Sequence, residues 1–517
     1  MAEAVETPIT EAAAAAAGFG THHGEHDHGA GLGAIKASYD PRLTNEDLAP
    51  LKKQDWTWYN IFAFWMSDVH SVGGYLTAGS LFALGLTSWQ VFICLIAGIS
   101  VVLFFCNLVA KPSQRSGVPY PVICRSVFGV LGANIPAIIR GLIAVAWYGI
   151  QTYLASASLD ILLVRMFHGL APYAEVTKHG FLGLSALGYV TFAILWVAQA
   201  AVFWTGMNTI KKFIDFAGPA VYVVMIALCV YLLAKANWHV NLNLSSKSLS
   251  GGEVFTTMLA ATALVVSYFS GPMLNFGDFS RYGKTFSAVK KGNFWGLPVN
   301  FLFFSILTVL TAAATLPVYG KLITDPVETV GHIDSTFALV LAALTFATAT
   351  VGINIVANFV SPAFDFSNVN PQKISWRMGG MIAAVGSVLL TPWNLYNNPA
   401  TIHYTLDTLG AFIGPLFGVL IAHYYVVHKQ QVVIDDLFTL DESGAYHYSK
   451  GYNPAAVAAT VIAAACAVCT VFVPAFHILT DYSWFVGCGV GFAAYALLAP
   501  RMGVSTTAQL TGKNATT

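Results

Sequence analysis

The stretch WMSDVHSVGGYLTAG, residues 65–79, lies inside an apolar segment that runs from 59 to 86. It carries Asp68, His70 and the pair Gly73–Gly74, all of which a lipid-facing helix disfavours. A charged side chain at the centre of a bilayer costs roughly 2.5–3.5 kcal/mol. The segment therefore either does not cross a membrane or crosses it with its polar groups turned towards something other than lipid.

The composition places the whole chain in a membrane. Of its 517 residues, 56% are hydrophobic and 10% are charged, whereas soluble proteins carry about 25% charged residues. The formal net charge is zero, which gives no bulk attraction to nucleic acid. A membrane helix needs about 20 apolar residues. Twelve segments, called spans one to twelve below, meet that requirement: 59–86, 90–110, 132–167, 184–206, 212–236, 254–279, 294–318, 335–361, 376–396, 403–427, 454–475 and 482–500.

The distribution of Lys and Arg orients these spans. If the N-terminus is cytoplasmic, 19 of the 25 Lys and Arg residues fall in cytoplasmic segments and five in loops on the other side. This excess follows the positive-inside rule. It predicts a multi-pass protein of the plasma or inner membrane with both termini in the cytoplasm. The remaining basic residue, Arg140, lies within span three and needs a partner, for which Asp215 is a candidate.

The spans divide the chain into five parts. The cytoplasmic N-terminal segment, 1–58, contains THHGEHDHGAG at 21–31, whose four clustered histidines could hold a metal weakly. We interpret this segment as mostly disordered. The remaining parts are a first group of five spans at 59–236, a second group of five at 254–427, two extra helices within 454–500 and a tail at 501–517.

Two spans contain helix-breaking residues near mid-depth. Span one has Gly73–Gly74, and span six has Gly271–Pro272 within SYFSGPMLNFGDFSRYG. These spans are the first members of two successive groups of five, and interrupted helices at matching positions are typical of a transporter binding site. Unpaired backbone groups survive inside a membrane only where they line a cavity. The pattern predicts discontinuous helices beside a binding site; kinked structural helices with satisfied polar groups are the alternative.

Polar and aromatic residues at mid-depth are candidates for this site. Trp147 and Gln151 of span three are four residues apart and share a helix face, where an indole can stack on a flat ring and an amide can bind its edge. A core Trp beside a packing Gln would give the same pattern. In span six, Phe269 follows Tyr268 and could form the second wall of an aromatic sandwich with Trp147.

Span eight contains a second polar pair. Asn354 and Asn358 are also four residues apart on one face. Two asparagines in one apolar helix are costly unless they have partners. They can hydrogen-bond to neighbouring helices, or one of them can bind a ligand, and the sequence leaves both interpretations open.

Several motifs together resemble the nucleobase–cation symport family one. They are NEDLAP at 45–50, WTWYNIFAFWMSD at 56–68, SGVPYPVICRSVFGVLGANIPAIIRGLIAVAWYGIQTY at 116–153, DFSRYGK at 278–284 and NIVANFVSPAFD at 354–365. The resemblance covers roughly 45–440. It implies an all-α integral membrane protein of twelve transmembrane helices, with a LeuT-type fold of inverted five-helix repeats in which helices one and six are discontinuous.

The resemblance also implies substrate-binding positions. In a hydantoin-transporting member, a Trp and a Gln of helix three, an aromatic residue of helix six and an Asn of helix eight contact the ligand. These positions correspond to Trp147, Gln151, Phe269 and Asn358. This chain differs from that member at three positions of the pocket floor: Phe269 stands in place of a Trp, Ser71 in place of a helix-one Gln and Tyr268 in place of a glycine.

The implied cation site departs further. In a sodium-coupled member, backbone carbonyls of helix one and oxygens of helix eight hold the ion. Those positions correspond to Ser67, His70, Ala349, Gly352 and Ile353. Because Gly352 and Ile353 replace the two hydroxyl ligands, we expect a proton in place of sodium, coupled through Asp68 or His70. A purely structural hydrogen bond from His70 is the alternative.

We therefore expect a secondary active symporter that imports a small planar heterocycle by alternating access. Uracil or a related pyrimidine is the first choice, allantoin or a hydantoin the second, and cytosine or a purine the third. A nutrient receptor that binds without transporting is the alternative of another class. The spans contain no HExxH, GxSxG or clustered His/Asp set, so we expect no enzyme activity, metal or cofactor. The partners expected are the substrate, a proton or sodium ion and the lipid bilayer, and the protein is expected to be a monomer.

Overall fold

A computed structural model of the protein describes residues 33–242, 249–395 and 398–504. The N-terminal histidine cluster and most of the tail at 501–517 lie outside these residues. The described chain is almost entirely helical, with one short antiparallel hairpin of strands Gly180–Phe181 and Leu184–Ser185. An all-α architecture of long apolar helices is what the twelve predicted spans require.

Ten helices in the described part of the chain are long and apolar enough to cross a membrane. They correspond to spans two to eight and ten to twelve. Their bounds are Ser88–Ser116, Asn134–Met166, Ala186–Trp204, Met207–Lys235, Gly251–Leu274, Phe286–Tyr319, Thr336–Val369, Ala400–Val427, Pro454–Phe472 and Pro474–Arg501. Span nine forms a shorter helix, Trp376–Leu389, and span one forms two helices, Trp58–Val69 and Val72–Ala83. The predicted count of twelve spans is consistent with this architecture.

Three of the long helices change geometry within the bilayer. Wider π-helical turns occupy Trp295–Val299 in span seven, Asn354–Val360 in span eight and Ala422–Val427 in span ten. Such π segments are frequent at functional sites. Short helices connect the spans: Tyr120–Phe128, Ala171–Ala174, Val176–His179, Gly277–Ser280, Pro326–Gly331 and the 3₁₀ turns His168–Leu170, Pro392–Asn394 and Asp435–Phe438.

Span one is interrupted, but not at the position predicted. The chain leaves helical geometry at His70 and Ser71, and Ser71 is extended with φ −136° and ψ 156°. Its Oγ accepts a hydrogen bond from the Gly74 backbone N–H at 2.9 Å, so Ser71 caps the second half-helix. Gly73 and Gly74 belong to the first turn of that half-helix. The serine cap therefore ends the interruption just before the glycines that were expected to cause it.

Span six is also interrupted, again away from the predicted position. Its helix, Gly251–Leu274, runs through Gly271–Pro272 and yields to a turn at Asn275–Phe276 before the short helix Gly277–Ser280. A proline removes one backbone donor and bends a helix without always ending it. The two interruptions still fall in the first helix of each predicted five-helix repeat.

Residues 33–57, which the sequence assigns to a mostly disordered segment, pack across one face of the helical bundle. This face is called the N-terminal face below, and the opposite face the far face. Leu48 and Trp56 are buried there. Arg281 fixes the segment, because its guanidinium donates to the backbone carbonyls of Asp47 at 2.8 Å and Ala49 at 2.7 Å. The segment is therefore held against the N-terminal face of the bundle.

Candidate substrate site

Gln151 of span three meets span one directly beside the interruption. A Cβ added at Gly73 would lie 2.7 Å from Gln151 Nε2, so only glycine leaves room for this amide. Gln151 is 1% exposed and Trp147, one helical turn away, is 8% exposed. The indole and the amide that the sequence places on one face therefore both point into the protein, at the level where span one is broken.

Tyr268 of span six links these groups. Its hydroxyl oxygen lies 3.0 Å from Ser71 Oγ and accepts a hydrogen bond from Gln151 Nε2 at 3.2 Å. Its ring meets the Trp147 indole edge to face, with centroids 5.5 Å apart and an interplanar angle of 85°. Spans one, three and six are thus joined around one phenol at the candidate site.

Phe269 does not form the expected second wall opposite Trp147. Its ring instead packs edge to face on Tyr268, with centroids 5.1 Å apart, and on Phe301 of span seven, at 5.5 Å. Successive helical residues point about 100° apart, so only one of the two aromatic rings of span six can face the indole. The structure places Tyr268 in that position, which corrects the assignment of Phe269.

The two asparagines of span eight have different surroundings. Asn354 Nδ2 donates to the Tyr148 carbonyl at 3.2 Å, to Thr152 Oγ1 at 3.0 Å and to Gln199 Oε1 at 2.6 Å. It joins spans three, four and eight. Asn358 Nδ2 donates to Asn354 Oδ1 at 2.9 Å. Asn354 is therefore committed to helix packing, while Asn358 is held in orientation by it.

One polar atom at this site lacks a partner. Gln151 Oε1 is buried and accepts no hydrogen bond from any residue that the structure describes. A buried acceptor left unsatisfied costs about 1–3 kcal/mol. The amide can therefore offer its free oxygen to a donor of a bound molecule while its nitrogen stays on Tyr268.

A cavity of about 420 Å³ opens towards the far face above these residues. Val72, Leu76, Tyr153, Leu154 and Ile402 are among the residues that line it. Val72 follows Ser71 in the chain, and Leu154 lies one turn from Gln151. The cavity therefore ends next to the candidate site, on the side of the far face.

Four of the five predicted cation-site residues line one narrow gap between spans one, five and eight. They are Ser67, His70, Ala349 and Gly352, and they face Gly218 and Val221 of span five. Ile353 is buried but is absent from this lining. Ser67 Oγ donates to the Ile214 carbonyl at 3.4 Å. The gap corresponds in place to the expected site, with few side-chain oxygens to hold a cation.

The side chains of His70 and Asp68, beside the interruption of span one, have different surroundings. The His70 ring packs edge to face on Tyr222, with centroids 3.9 Å apart, and its Nδ1 lies 3.3 Å from Tyr75 Oη. His70 Nε2 and Asp68 Oδ1 are buried, and neither has a hydrogen-bond partner within the described ranges. Asp68 interacts electrostatically with Arg140 of span three. Both titratable groups are thus enclosed by protein.

The sequence of this chain matches a known protein family over most of its length. The model of a family described as permease for cytosine/purines, uracil, thiamine, allantoin matches residues 49–487. This chain belongs to that permease family. Members of the family are transporters and not enzymes. Membership of this permease family agrees with the resemblance of the motifs to the nucleobase–cation symport family one.

Individual relatives cover most of this permease. An allantoin permease of Bacillus subtilis is 33% identical over 461 residues, which make up 88% of this chain and 93% of that protein. A purine-uracil permease of Arabidopsis thaliana, NCS1, is 31% identical over 439 residues, covering 84% and 72% respectively.

A solved structure of Mhp1 shows the same fold. Mhp1, a nucleobase-cation-symport-1 family transporter, in a closed conformation with bromovinylhydantoin bound, superposes with a TM-score of 0.71. The sequences are 21% identical, and the match covers 91% of this chain and 99% of Mhp1. This likeness confirms the LeuT-type fold that the motifs imply.

The permease also contains a buried charged cluster that the sequence did not reveal. Arg140 does not pair with Asp215, whose carboxylate accepts from Asn60 Nδ2 at 3.2 Å. Arg140 instead donates to the backbone carbonyls of Gly271 at 3.3 Å and Ala357 at 3.2 Å. It lies next to the acidic side chains of Asp278 and Asp365, with which it interacts electrostatically. The DFSRY and SPAFD motifs carry these two acids, but nothing in their spacing indicated that they meet.

Proposed function

We propose that this permease is a secondary active symporter for a small, uncharged, planar heterocycle, with uracil or a related pyrimidine as its substrate. The observation that carries the proposal is the free Oε1 of Gln151, buried beside the Trp147 indole where span one is interrupted. Uracil presents a ring N–H next to a ring carbonyl, and the free Oε1 of Gln151 can accept a hydrogen bond from that N–H while its Nε2 stays on Tyr268. The indole supplies a flat apolar surface for the ring.

Allantoin or a hydantoin is the second candidate. The 33% identity to an allantoin permease over 88% of this chain supports it. The hydantoin ring of allantoin shares the alternating N–H and C=O edge of uracil, so the same amide groups serve both. Cytosine and purines, which also present a donor next to an acceptor, are the third candidate.

A competition panel separates these substrates. The purified permease is reconstituted into liposomes, and uptake of labelled uracil is measured against excess unlabelled uracil, allantoin, hydantoins, cytosine and purines. The proposal expects uracil to compete best. Stronger competition by allantoin transfers the assignment to the second candidate.

We further propose that transport is inward and coupled to a proton. Sodium binds to several hard oxygen ligands, and the two positions that correspond to hydroxyl ligands are Gly352, which lines the gap between spans one, five and eight, and Ile353, which is buried outside it. Asp68 and His70 are the sequence-based candidates for the proton. The plasma or inner membrane, cytoplasmic termini and a monomeric state belong to the same proposal.

Counterflow distinguishes a carrier from the alternative of a non-transporting receptor. Liposomes loaded with unlabelled substrate are diluted into a trace of labelled substrate. A carrier exchanges the two and accumulates label transiently, whereas a receptor only binds an amount equal to its own concentration. Absence of exchange with every heterocycle of the panel would contradict the proposal.

A further inference from the structure

We propose that the carboxyl groups of Asp278 and Asp365 form one buried proton-binding site, which is loaded and unloaded during the transport cycle. The inference rests on the proposed function as a proton-coupled permease, and it names where the coupling proton is held. The pair lies between spans three, six and eight, apart from the gap that contains Ser67 and His70.

A single amide group holds the two acids side by side. Asn275 Nδ2 donates to Asp278 Oδ2 at 3.2 Å and to Asp365 Oδ2 at 3.3 Å, and both aspartates are fully buried. Asp278 Oδ1 also accepts from the Tyr120 backbone N–H at 2.8 Å. Two carboxyl groups that share one enclosed position repel each other when both are ionised, so one of them favours the protonated form.

Unpaired polar atoms mark the site independently of this arrangement. Asp365 Oδ1 is buried and has no hydrogen-bond partner among residues 33–242, 249–395 and 398–504, and the same holds for Arg140 Nη1. Arg140 is 1% exposed, and it interacts electrostatically with both carboxyl groups. The buried guanidinium has a free donor, and the carboxylate next to it has a free acceptor. The pair can therefore gain or lose a proton without breaking the hydrogen bonds described above.

The surrounding charges do not balance the acids. The titratable and charged groups that face the pair are Tyr120, Cys124, Arg140 and Arg281, and Arg140 also interacts electrostatically with Asp68. Arg281 donates to the backbone carbonyls of Asp47 and Ala49 in the N-terminal segment and to that of Gly117, and it interacts electrostatically with Asp47. The two guanidinium groups therefore interact with four carboxyl groups, those of Asp278, Asp365, Asp68 and Asp47. Because an uncompensated charge inside a membrane protein is costly, a proton on the pair restores the balance.

The residues around the pair lie on the same three spans as the candidate substrate site, and one residue on each span lies seven positions from a residue of that site. Arg140 precedes Trp147 by seven residues, Asn275 follows Tyr268 by seven, and Asp365 follows Asn358 by seven. Seven residues make about two helical turns, or roughly 10 Å. The carboxyl pair thus forms a second polar layer below the substrate layer, and it adjoins the interruption of span six. Protonation there can bias the position of helices that also bind the substrate.

The test uses the full-length permease in liposomes with labelled uracil, or labelled allantoin if the competition panel selects it. Accumulation driven by an imposed pH gradient is compared with counterflow for the unmodified protein, Asp365→Asn and Asp278→Asn. Asp407→Asn is the matched control, because Asp407 is equally buried but lies on span ten. We expect both substitutions of the pair to reduce gradient-driven accumulation at least tenfold while counterflow remains measurable, and we expect the control to accumulate substrate.

Each other outcome overturns the inference. Accumulation by both variants of the pair excludes it, as does loss of accumulation in Asp68→Asn alone. Counterflow without any response of the unmodified protein to a pH gradient also excludes it, while leaving the permease function intact. If neither variant reaches the membrane, Asn275→Ala is used, which retains both acids but removes their shared donor. A pH dependence of its uptake identical to that of the unmodified protein contradicts the site.

Discussion

Tyr268 determines the shape of the candidate substrate site. Its hydroxyl contacts Ser71 and Gln151, and its ring contacts Trp147, so one side chain of span six touches both span one and span three at the site. The resemblance directs attention to Phe269 because it matches an aromatic position by alignment. Which of two adjacent aromatic residues faces inward depends on the rotation of the helix, and the motifs do not specify that rotation.

Replacing Trp147 with alanine is expected to abolish uptake without affecting membrane insertion. The substitution removes the flat apolar surface against which a planar ring packs, and large aromatic side chains dominate such contacts. Uptake of labelled substrate and the amount of permease in the membrane are measured together. Trp295→Ala serves as a control, because Trp295 is 43% exposed at the periphery. Uptake by Trp147→Ala equal to that of the control would remove Trp147 from the site.

Alanine substitutions of the two asparagines of span eight are expected to impair different properties, the apparent KM for Asn358 and the stability of the fold for Asn354. Asn358→Ala should raise the apparent KM by roughly 5- to 100-fold, since losing a buried hydrogen-bond partner costs about 1–3 kcal/mol. Asn354→Ala removes the hydrogen bonds that join spans three, four and eight. It should therefore lower the thermal unfolding temperature of the purified permease more than Asn358→Ala does. A lower unfolding temperature for Asn358→Ala than for Asn354→Ala would reverse our assignment.

The interruption of span one shows which features of a helix can be predicted. Its existence follows from the cost of Asp68 and His70 in lipid, and the structure confirms it. Its position does not follow from the glycines, because Ser71 caps the second half-helix and Gly73 serves instead to admit Gln151. A glycine required for close packing and a glycine required for a bend look alike in a sequence.

Gly73→Ala is expected to reduce transport severely while the protein still inserts. The new Cβ would lie 2.7 Å from Gln151 Nε2 and 2.8 Å from Oε1, so the amide must move away from Tyr268. Gly489→Ala in span twelve provides a control, because a Cβ there meets no atom within 4 Å. Substrate binding by the purified variants separates a damaged site from a damaged helix. Wild-type affinity in Gly73→Ala would show that Gln151 does not bind substrate.

The contact between spans one and eight is the place where our proposal of proton coupling can be tested. Gly352 lies against Ser67, and a Cβ at this glycine would be 3.4 Å from Ser67 Cβ. The narrow gap there offers a cation few side-chain oxygens, so we expect uptake to persist when choline replaces sodium and to respond to an imposed pH gradient. Uptake that requires sodium would show that backbone carbonyls alone complete an ion site at Ser67, Gly352 and their neighbours.

Only part of the arrangement of the bundle can be predicted from the sequence: the spans can, but the contacts between side chains of different spans cannot. Apolar runs predict the spans because a bilayer demands about 20 apolar residues per helix, and ten long helices appear where ten of those runs lie. The Asp278–Asp365 pair arises only when spans six and eight pack on span three. Its members are 87 residues apart in the chain, so composition and periodicity cannot bring them together.

The cavity that opens at the far face allows the orientation of the protein in the membrane to be tested. Ala83 lines the cavity that opens at the far face and is exposed there, whereas Glu442 is exposed in the loop between spans ten and eleven at the N-terminal face. If the N-terminal face is cytoplasmic, a membrane-impermeant maleimide applied to intact cells should label Ala83→Cys and should label Glu442→Cys only after permeabilisation. Both variants are made with Cys466 and Cys469 replaced by serine, because these two cysteines are the ones with exposed surface in the described chain. Labelling of Glu442→Cys alone in intact cells would invert the predicted topology, and with it the direction of import, because the cavity beside Gln151 would then open to the cytoplasm.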